Sequence, residues 1–221
     1  MKVLAQFCLF VFPWKLRSIL LRKLLGWQLD EQCYIGYSII LSEKVVLSRG
    51  ATIGHLNIIR NLNSIQLGVG SIFGTMNWVA GGASIKESFT EESDRDASLI
   101  LEEHSAVTHR HIFDCTNKIT VGRFSTVAGY RSTFLTHGID MLGNFQASAP
   151  IYIGSYCMIG SNSLVTKGVS IPERSILAAG SVLVSSEGIR ESSLLAGVPA
   201  KVKTNKHAKG LYFSREEGSV K

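Results

Sequence analysis

The strongest constraint in this chain is a period of six. Ile35, Leu41, Leu47, Ile53, Ile59 and Ile65 fall in strict register, and all are apolar β-formers. The register returns in a shifted phase at Leu67, Phe73, Val79 and Ile85, then at Leu101, Val107 and Phe113, and at Val121 and Val127. It ends on an unbroken run of Ile153, Ile159, Val165, Ile171, Leu177 and Leu183. Two further slots move with it. A glycine often follows the apolar residue, as at Gly36, Gly54, Gly74, Gly122, Gly154 and Gly160. Four positions after the apolar residue, small or β-branched residues recur, among them Ala51, Ala83, Ser105, Ser125, Cys157, Ser163, Val169, Ser175 and Ser181.

Three coupled slots describe an all-β solenoid. Each hexapeptide is a short strand plus a corner, so three of them close a triangular coil of roughly 18 residues. The large apolar residue fills the interior, and the small one lets the corner tuck inward. One coil cannot bury its own apolar side, whereas stacked coils share a core and pair every strand with the next. Between residues 33 and 185 nothing has an extended 3.6-residue period, which excludes alternating strand–helix units. Two segments break the repeat. Ile85–Leu99, IKESFTEESDRDASL, is acidic and reads as a projecting loop. Thr136–Pro150, THGIDMLGNFQASAP, is a second loop, and loops on a rigid scaffold are where a solenoid carries function.

The chain divides into an N-terminal amphipathic helical segment (1–30), the repeat domain (31–203) and a polar C-terminal tail (204–221), read as frayed. The formal net charge of +6 is concentrated at the ends. Residues 1–25 carry five basic side chains and no acid, and residues 201–221 carry six basic and two acidic ones. The body between them is slightly acidic, which argues against a nucleic-acid groove. Residues 14–27, WKLRSILLRKLLGW, place Lys15, Arg22, Lys23 and Gly26 on one side of a helix. Leu16, Leu20, Leu21, Leu24, Leu25 and Trp27 gather on the other, with Arg17 on the wrong face. Two readings fit: a cap on the first coil, or a peripheral contact of residues 1–27 with an anionic membrane. The apolar run Val3–Trp14 is too short for a membrane span and poor as a signal peptide. Four scattered cysteines without a CxxC pair read as reduced thiols, and the expected location is cytoplasmic.

The repeat, strongest in IYIGSYCMIGSNSLVTKGVSIPERSILAAGSVLV and followed by LLAGVPAKV, resembles the hexapeptide-repeat acyltransferases over about residues 30–203. FLTHGID followed by API is most similar to the sugar O-acetyltransferases of surface-polysaccharide and lipopolysaccharide assembly. The resemblance implies a left-handed parallel β-helix, a homotrimer, and acetyl-CoA as co-substrate with no metal. The acceptor would be a small-molecule or lipid-linked sugar.

Acyl transfer from a thioester to a hydroxyl needs a base for the hydroxyl proton, and histidine, titrating near working pH, is the natural one. By the resemblance His137, in THGID, is that base, and Asp114 and Asp140 are its two candidate orienting partners. The same resemblance places the pantetheine of CoA along Gly160, Ala178, Ala179, Gly180 and Ser181, with Lys201 and Lys203 near the nucleotide phosphates. His55 and His207 are expected to be bland. Other readings stay open: N-acetylation of a nucleotide amino sugar, a scaffold without activity, or a serine- or streptogramin-directed acetyltransferase. His104 and His109, five residues apart, also match the ligand spacing of zinc hydratases resembling the γ-class carbonic anhydrases, although no histidine stands near Gly68.

Overall fold

A computed structural model of the chain describes residues 2–83, 89, 94–204, 209–218 and 220. The repeat folds as a parallel β-helix whose coils wind left-handed. One face stacks Tyr34–Ile35, Thr52–Ile53, Ile72–Phe73, Ala106–His109, Thr126–Tyr130, Met158–Ile159, Ile176–Leu177 and Leu194–Gly197. Its inward residues pair coil to coil in register, Ile35 on Ile53, Ile53 on Phe73 and so on to Leu177 on Leu195. The other two faces are joined near the N-terminus by strands long enough to turn a corner, Ile39–Leu47 and Ile58–Leu67. The interior is dry: Leu47, Ile53, Phe73, Phe113, Phe134, Ile153, Ile159, Val165, Ile171 and Leu177 are essentially inaccessible, and the Phe113 and Phe134 rings stack at 4.7 Å. The small slot lies inside the corners, where Ala51, Ser105, Ser125, Cys157 and Ser175 are buried. Burial pushes the Cys157 thiol up to about 12, so it stays protonated and donates to the Pro172 carbonyl at 3.1 Å.

Two glycines have a specific packing reason. A Cβ on Gly74 would lie 2.0 Å from the Thr108 carbonyl oxygen, and one on Gly54 would lie 2.5 Å from that of Gly74. The period slips at its first corner. The inward residue near position 41 is Ile40, not Leu41, because the corner at residues 36–38 is one residue shorter than the corner at residues 54–57 stacked on it, with Ile35 on Ile53 and Ile40 on Ile59. The predicted slot at Ile85 lies outside the described residues.

The N-terminal segment forms two helices, α1 (Lys2–Leu9) and α2 (Trp14–Leu25), the second ended by Gly26 at φ 69°, whose amide bonds back to the Arg22 carbonyl. They cap the first coil with part of the face expected: Leu21 and Trp27 are buried, and Leu20 and Leu25 pack against the core. The buried residues of α2 are Arg17, Ser18 and Leu21, while Leu16, Ile19 and Leu24 face outward. The reason is the unpaired backbone at the end of a β-helix. The Arg17 guanidinium donates to the Ile35 carbonyl, Trp14 Nε1 donates to the Cys33 carbonyl at 2.9 Å, and Gln6 bonds both ways to Ile40 at 2.9 Å. At the other end, Ala200–Lys203 folds back antiparallel on Leu194–Gly197 and closes the last coil. The tail expected to be frayed is partly docked. Leu211–Ser214 is a 3₁₀ turn with Phe213 buried, the Tyr212 hydroxyl donates to the Cys157 carbonyl at 3.0 Å, and Arg215 donates to the Phe124 carbonyl. His207 lies outside the described residues.

One corner carries a polar ladder along the coils. The amide of Asn57 donates to Ser38 Oγ, that of Asn77 to Asn57 Oδ1, that of His111 to Asn77 Oδ1, and that of Ser132 to His111 Nδ1 at 3.1 Å. Accepting at Nδ1 requires the neutral ring, and burial, helped by nearby His109, lowers the His111 pKa from 6.5 to about 4. The unfolded chain therefore binds a proton between these values that the folded chain refuses. This contribution is complete above about 6.5 and is lost as pH falls toward 4, with a maximum on the order of 3 kcal/mol. His111→Asn supplies the same acceptor as Asn57 and Asn77 without titrating, so its thermal midpoint should fall less steeply than the wild type's over this range. Parallel slopes would contradict this role for His111.

Candidate active site

Asp114 and His137 meet where two stacked strands run out into a corner. Ile112–Cys115 pairs with Thr133–Leu135, bringing Asp114 beside Leu135, two residues before His137. Buried Thr136 locks the exit: its hydroxyl donates to the Asp114 carbonyl at 2.7 Å and accepts the Asn117 amide at 2.8 Å. From there the chain leaves as an antiparallel hairpin, His137–Asp140 with Phe145–Ser148, so the second loop is more ordered than its glycines and proline suggest.

The Asp114 carboxylate is enclosed by donors. Oδ1 accepts the Thr116 amide at 3.0 Å and its hydroxyl at 2.7 Å, while Oδ2 lies 2.5 Å from His137 Nδ1 and accepts the His137 amide at 3.2 Å. A carboxylate so surrounded is an acceptor, so the ring proton sits on Nδ1 and the Nε2 lone pair is left to act as a base. The His137 side chain is 43% exposed against 14% for Asp114, so the imidazole faces an incoming reactant and the carboxylate does not. Of the two candidate orienting acids, Asp114 therefore stands at the imidazole. Asp140 instead caps the hairpin turn, its Oδ1 accepting the amides of Leu142 at 3.0 Å and Gly143 at 2.7 Å.

The acidic insertion reaches this corner. Phe89 is buried, with its ring centroid 6.4 Å from that of His137 and the planes at 79°. The Arg95 guanidinium lies 4.4 Å from the Phe89 centroid and donates to the Thr116 carbonyl at 2.8 Å, and Lys118 pairs with Asp96 at 2.9 Å. The described part of the insertion thus folds onto the site and does not simply project; residues 84–88 and 90–93 lie outside the described residues. Phe89, Arg95 and Thr116 were not read from the sequence. A lone phenylalanine and an arginine within an acidic run were the available signal.

The positions expected to hold CoA separate into two groups. The backbone groups of Gly160 and Ala178 serve the coils: their amides donate to Leu177 and Leu195, and both carbonyls accept serine hydroxyls. Ser181 is buried and accepts the Gly197 amide at 3.2 Å. Ala179 and Gly180 lie exposed on a corner, and Lys201 and Lys203 lie exposed, two residues apart, on the closing strand. These four residues are the accessible part of the expected cradle. They and His137 belong to different corners of the coil.

The remaining histidines are structural partners. His104 stacks on Phe124 at 5.0 Å, whereas His109 Nδ1 accepts the Thr75 amide at 3.1 Å at the far end of strand Ala106–His109. The spacing noted in the sequence thus spans a strand, and no group of three potential metal ligands occurs among the described residues. His55 contacts the Tyr37 amide and the Tyr34 hydroxyl.

Residues 150–185 match the family described as the hexapeptide repeat of succinyl-transferase. No curated protein matches the chain. Among solved structures, the AntD N-acyltransferase of Bacillus cereus, in complex with dTDP-4-amino-4,6-dideoxyglucose and coenzyme A, is 13% identical. The alignment covers 88% of this chain and 92% of that one, with a TM-score of 0.52. A hexapeptide-repeat-containing acetyltransferase of Vibrio cholerae is 16% identical, with 92% and 90% covered and a TM-score of 0.47. The polySia-specific acetyltransferase NeuO is also 16% identical, with 81% and 86% covered and a TM-score of 0.44. Repeat, coil geometry and fold agree: the chain carries a hexapeptide repeat, matched by the family model over residues 150–185, and has a left-handed parallel β-helix fold.

Proposed function

We propose that the protein is an acetyl-CoA-dependent acetyltransferase acting on a hydroxyl of a sugar, free or linked to a lipid or nucleotide. The observation that carries this reading is the Asp114–His137 pair, with Nδ1 held by the carboxylate and the ring exposed at the edge of the coils. His137 Nε2 takes the proton of the attacking hydroxyl as the oxygen bonds to the thioester carbonyl. It then returns that proton to the CoA sulfur as the C–S bond breaks. The product is an acetyl ester and free CoA thiol. Lys201 and Lys203 supply point charges for the nucleotide phosphates, and Ala179 and Gly180 border the pantetheine path.

The working form is proposed to be a homotrimer. The face between the His137 corner and the Ala179–Gly180 corner carries an outward apolar row, Ile58 on Trp78 on Ile112, each about half exposed. Beside it the hairpin exposes Ile139, Met141, Leu142 and Phe145. Covering this face with a neighbour would bring one chain's cradle toward another chain's His137.

An amine acceptor is the second reading, favoured by AntD, whose described complex holds an amino sugar nucleotide. One assay separates the two: acceptor-dependent thiol release from acetyl-CoA over sugars, nucleotide sugars and lipid-linked sugars, with light scattering on the same sample. The expected product is an ester that hydroxylamine cleaves, made by a trimer. An amide product would favour the second reading, and an active stable monomer would contradict the shared site.

A further inference from the structure

The N-terminal cap has an outer surface that the fold does not use. In α1 the buried residues are Gln6 and Leu9, so Leu4 and Phe7 on the opposite side are exposed by 69% and 55%, and Val11, in the turn that follows, by 80%. In α2 Arg17, Ser18 and Leu21 are buried and Leu20 and Leu25 pack against the core, which turns Leu16, Ile19 and Leu24 outward, with Leu24 63% exposed. Two adjoining helices and the turn between them thus present six large apolar side chains to solvent, more than a surface needs and more than a coil cap explains. The charged residues of the two helices are all basic, with Asp30 and Glu31 of the first coil beside Lys15 and Arg22. Lys2, Lys15, Arg22 and Lys23 are exposed, and residues 2–25 contain no acid.

We infer that this end of the solenoid docks on an anionic membrane surface. An apolar helical face rimmed by lysine and arginine matches a lipid interface, where the apolar side chains enter the acyl boundary and the ammonium groups stay among the phosphates. No described helix is long and apolar enough to cross a bilayer, so the contact lies in the interface plane. The hydrogen bonds that hold the cap, from Gln6, Trp14 and Arg17, all point toward the first coil, so docking leaves them intact. A second copy of the chain on this face would bring four cations against four, which disfavours that occupant. The inference does not depend on the acyl-transfer reading.

The test is flotation of the full-length protein with vesicles of phosphatidylcholine alone or with about one third phosphatidylglycerol. Binding is expected to the anionic vesicles, weakening with salt. Each exposed cation near such a surface is worth roughly fivefold in partitioning, so Lys15→Gln with Lys23→Gln should lower it by about thirtyfold. Phe7→Ser with Val11→Ser should abolish it with little change in the thermal midpoint, because Val11 lies in solvent and Phe7 gives up only its edge contact with the Phe10 ring. Undiminished binding by the Phe7/Val11 variant, or equal binding to neutral vesicles, would overturn the inference. So would the absence of vesicle binding together with self-association that the same two substitutions remove, which would assign the face to a second copy.

Discussion

Asp114→Asn is expected to lower the turnover of acetyl transfer by on the order of 10²–10⁴ while leaving the Michaelis constant for acetyl-CoA nearly unchanged. The two oxygens of Asp114 answer four donors: the Thr116 amide and hydroxyl on one, the His137 ring and amide on the other. Asparagine has one acceptor oxygen. Two donors from Thr116 would hold that oxygen on their side and turn the carboxamide NH₂ toward His137 Nδ1. The ring would then accept at Nδ1 and carry its proton on Nε2, the atom that has to act as base. The same substitution removes the charge that stabilises the imidazolium formed in the transition state. A general loss of structure would lower stability and cofactor affinity together, whereas a tautomer change moves turnover alone and exchanges the protonated ring nitrogen in the ¹⁵N spectrum of His137. Unchanged turnover in folded Asp114→Asn would mean that the carboxylate does not position the base.

The solenoid was legible because each of its rules is local. An inward slot every six residues, a small residue at the corner and glycine at a close backbone approach can be read one hexapeptide at a time. At position 41 the period points to Leu41, but the corner before it is one residue shorter than the one stacked on it, so Ile40 turns inward instead. The helical cap departs from its sequence pattern in part, for a different reason. A helical wheel weighs side-chain hydrophobicity, but the first coil presents unpaired carbonyls, so it recruits the donors Gln6, Trp14 and Arg17 beside Leu20, Leu21 and Leu25 and leaves Leu16 and Leu24 outside. At the site, the family motif pointed to His137, but only the register of two strands 21 residues apart separates Asp114 from Asp140 as its partner. Phe89 and Arg95 were hidden by the acidic composition around them. The tail was hidden likewise, since Tyr212, Phe213 and Arg215 anchor a segment whose average is polar.

The central claim is that the exposed nitrogen of His137 moves the proton in the acyl transfer, and turnover of folded His137→Ala tests it most directly. The substitution removes little else. The side chain lies half in solvent at the root of a hairpin, and Thr136, not His137, ties that corner to the coil below. Without the imidazole, the acceptor hydroxyl has to attack with its proton in place, and the departing thiolate has no positioned acid. The expected loss is on the order of 10²–10⁴ in turnover, with the Michaelis constant for acetyl-CoA nearly unchanged. Lys201→Ala serves as the internal contrast. A lysine that holds the nucleotide phosphates raises that Michaelis constant and spares turnover, so the pair separates base from cradle. With acceptor-dependent thiol release as the readout, the account predicts that His137→Ala binds acetyl-CoA as the wild type does and turns it over at most at a hundredth of the rate, roughly. Wild-type turnover in a folded His137→Ala protein would contradict it.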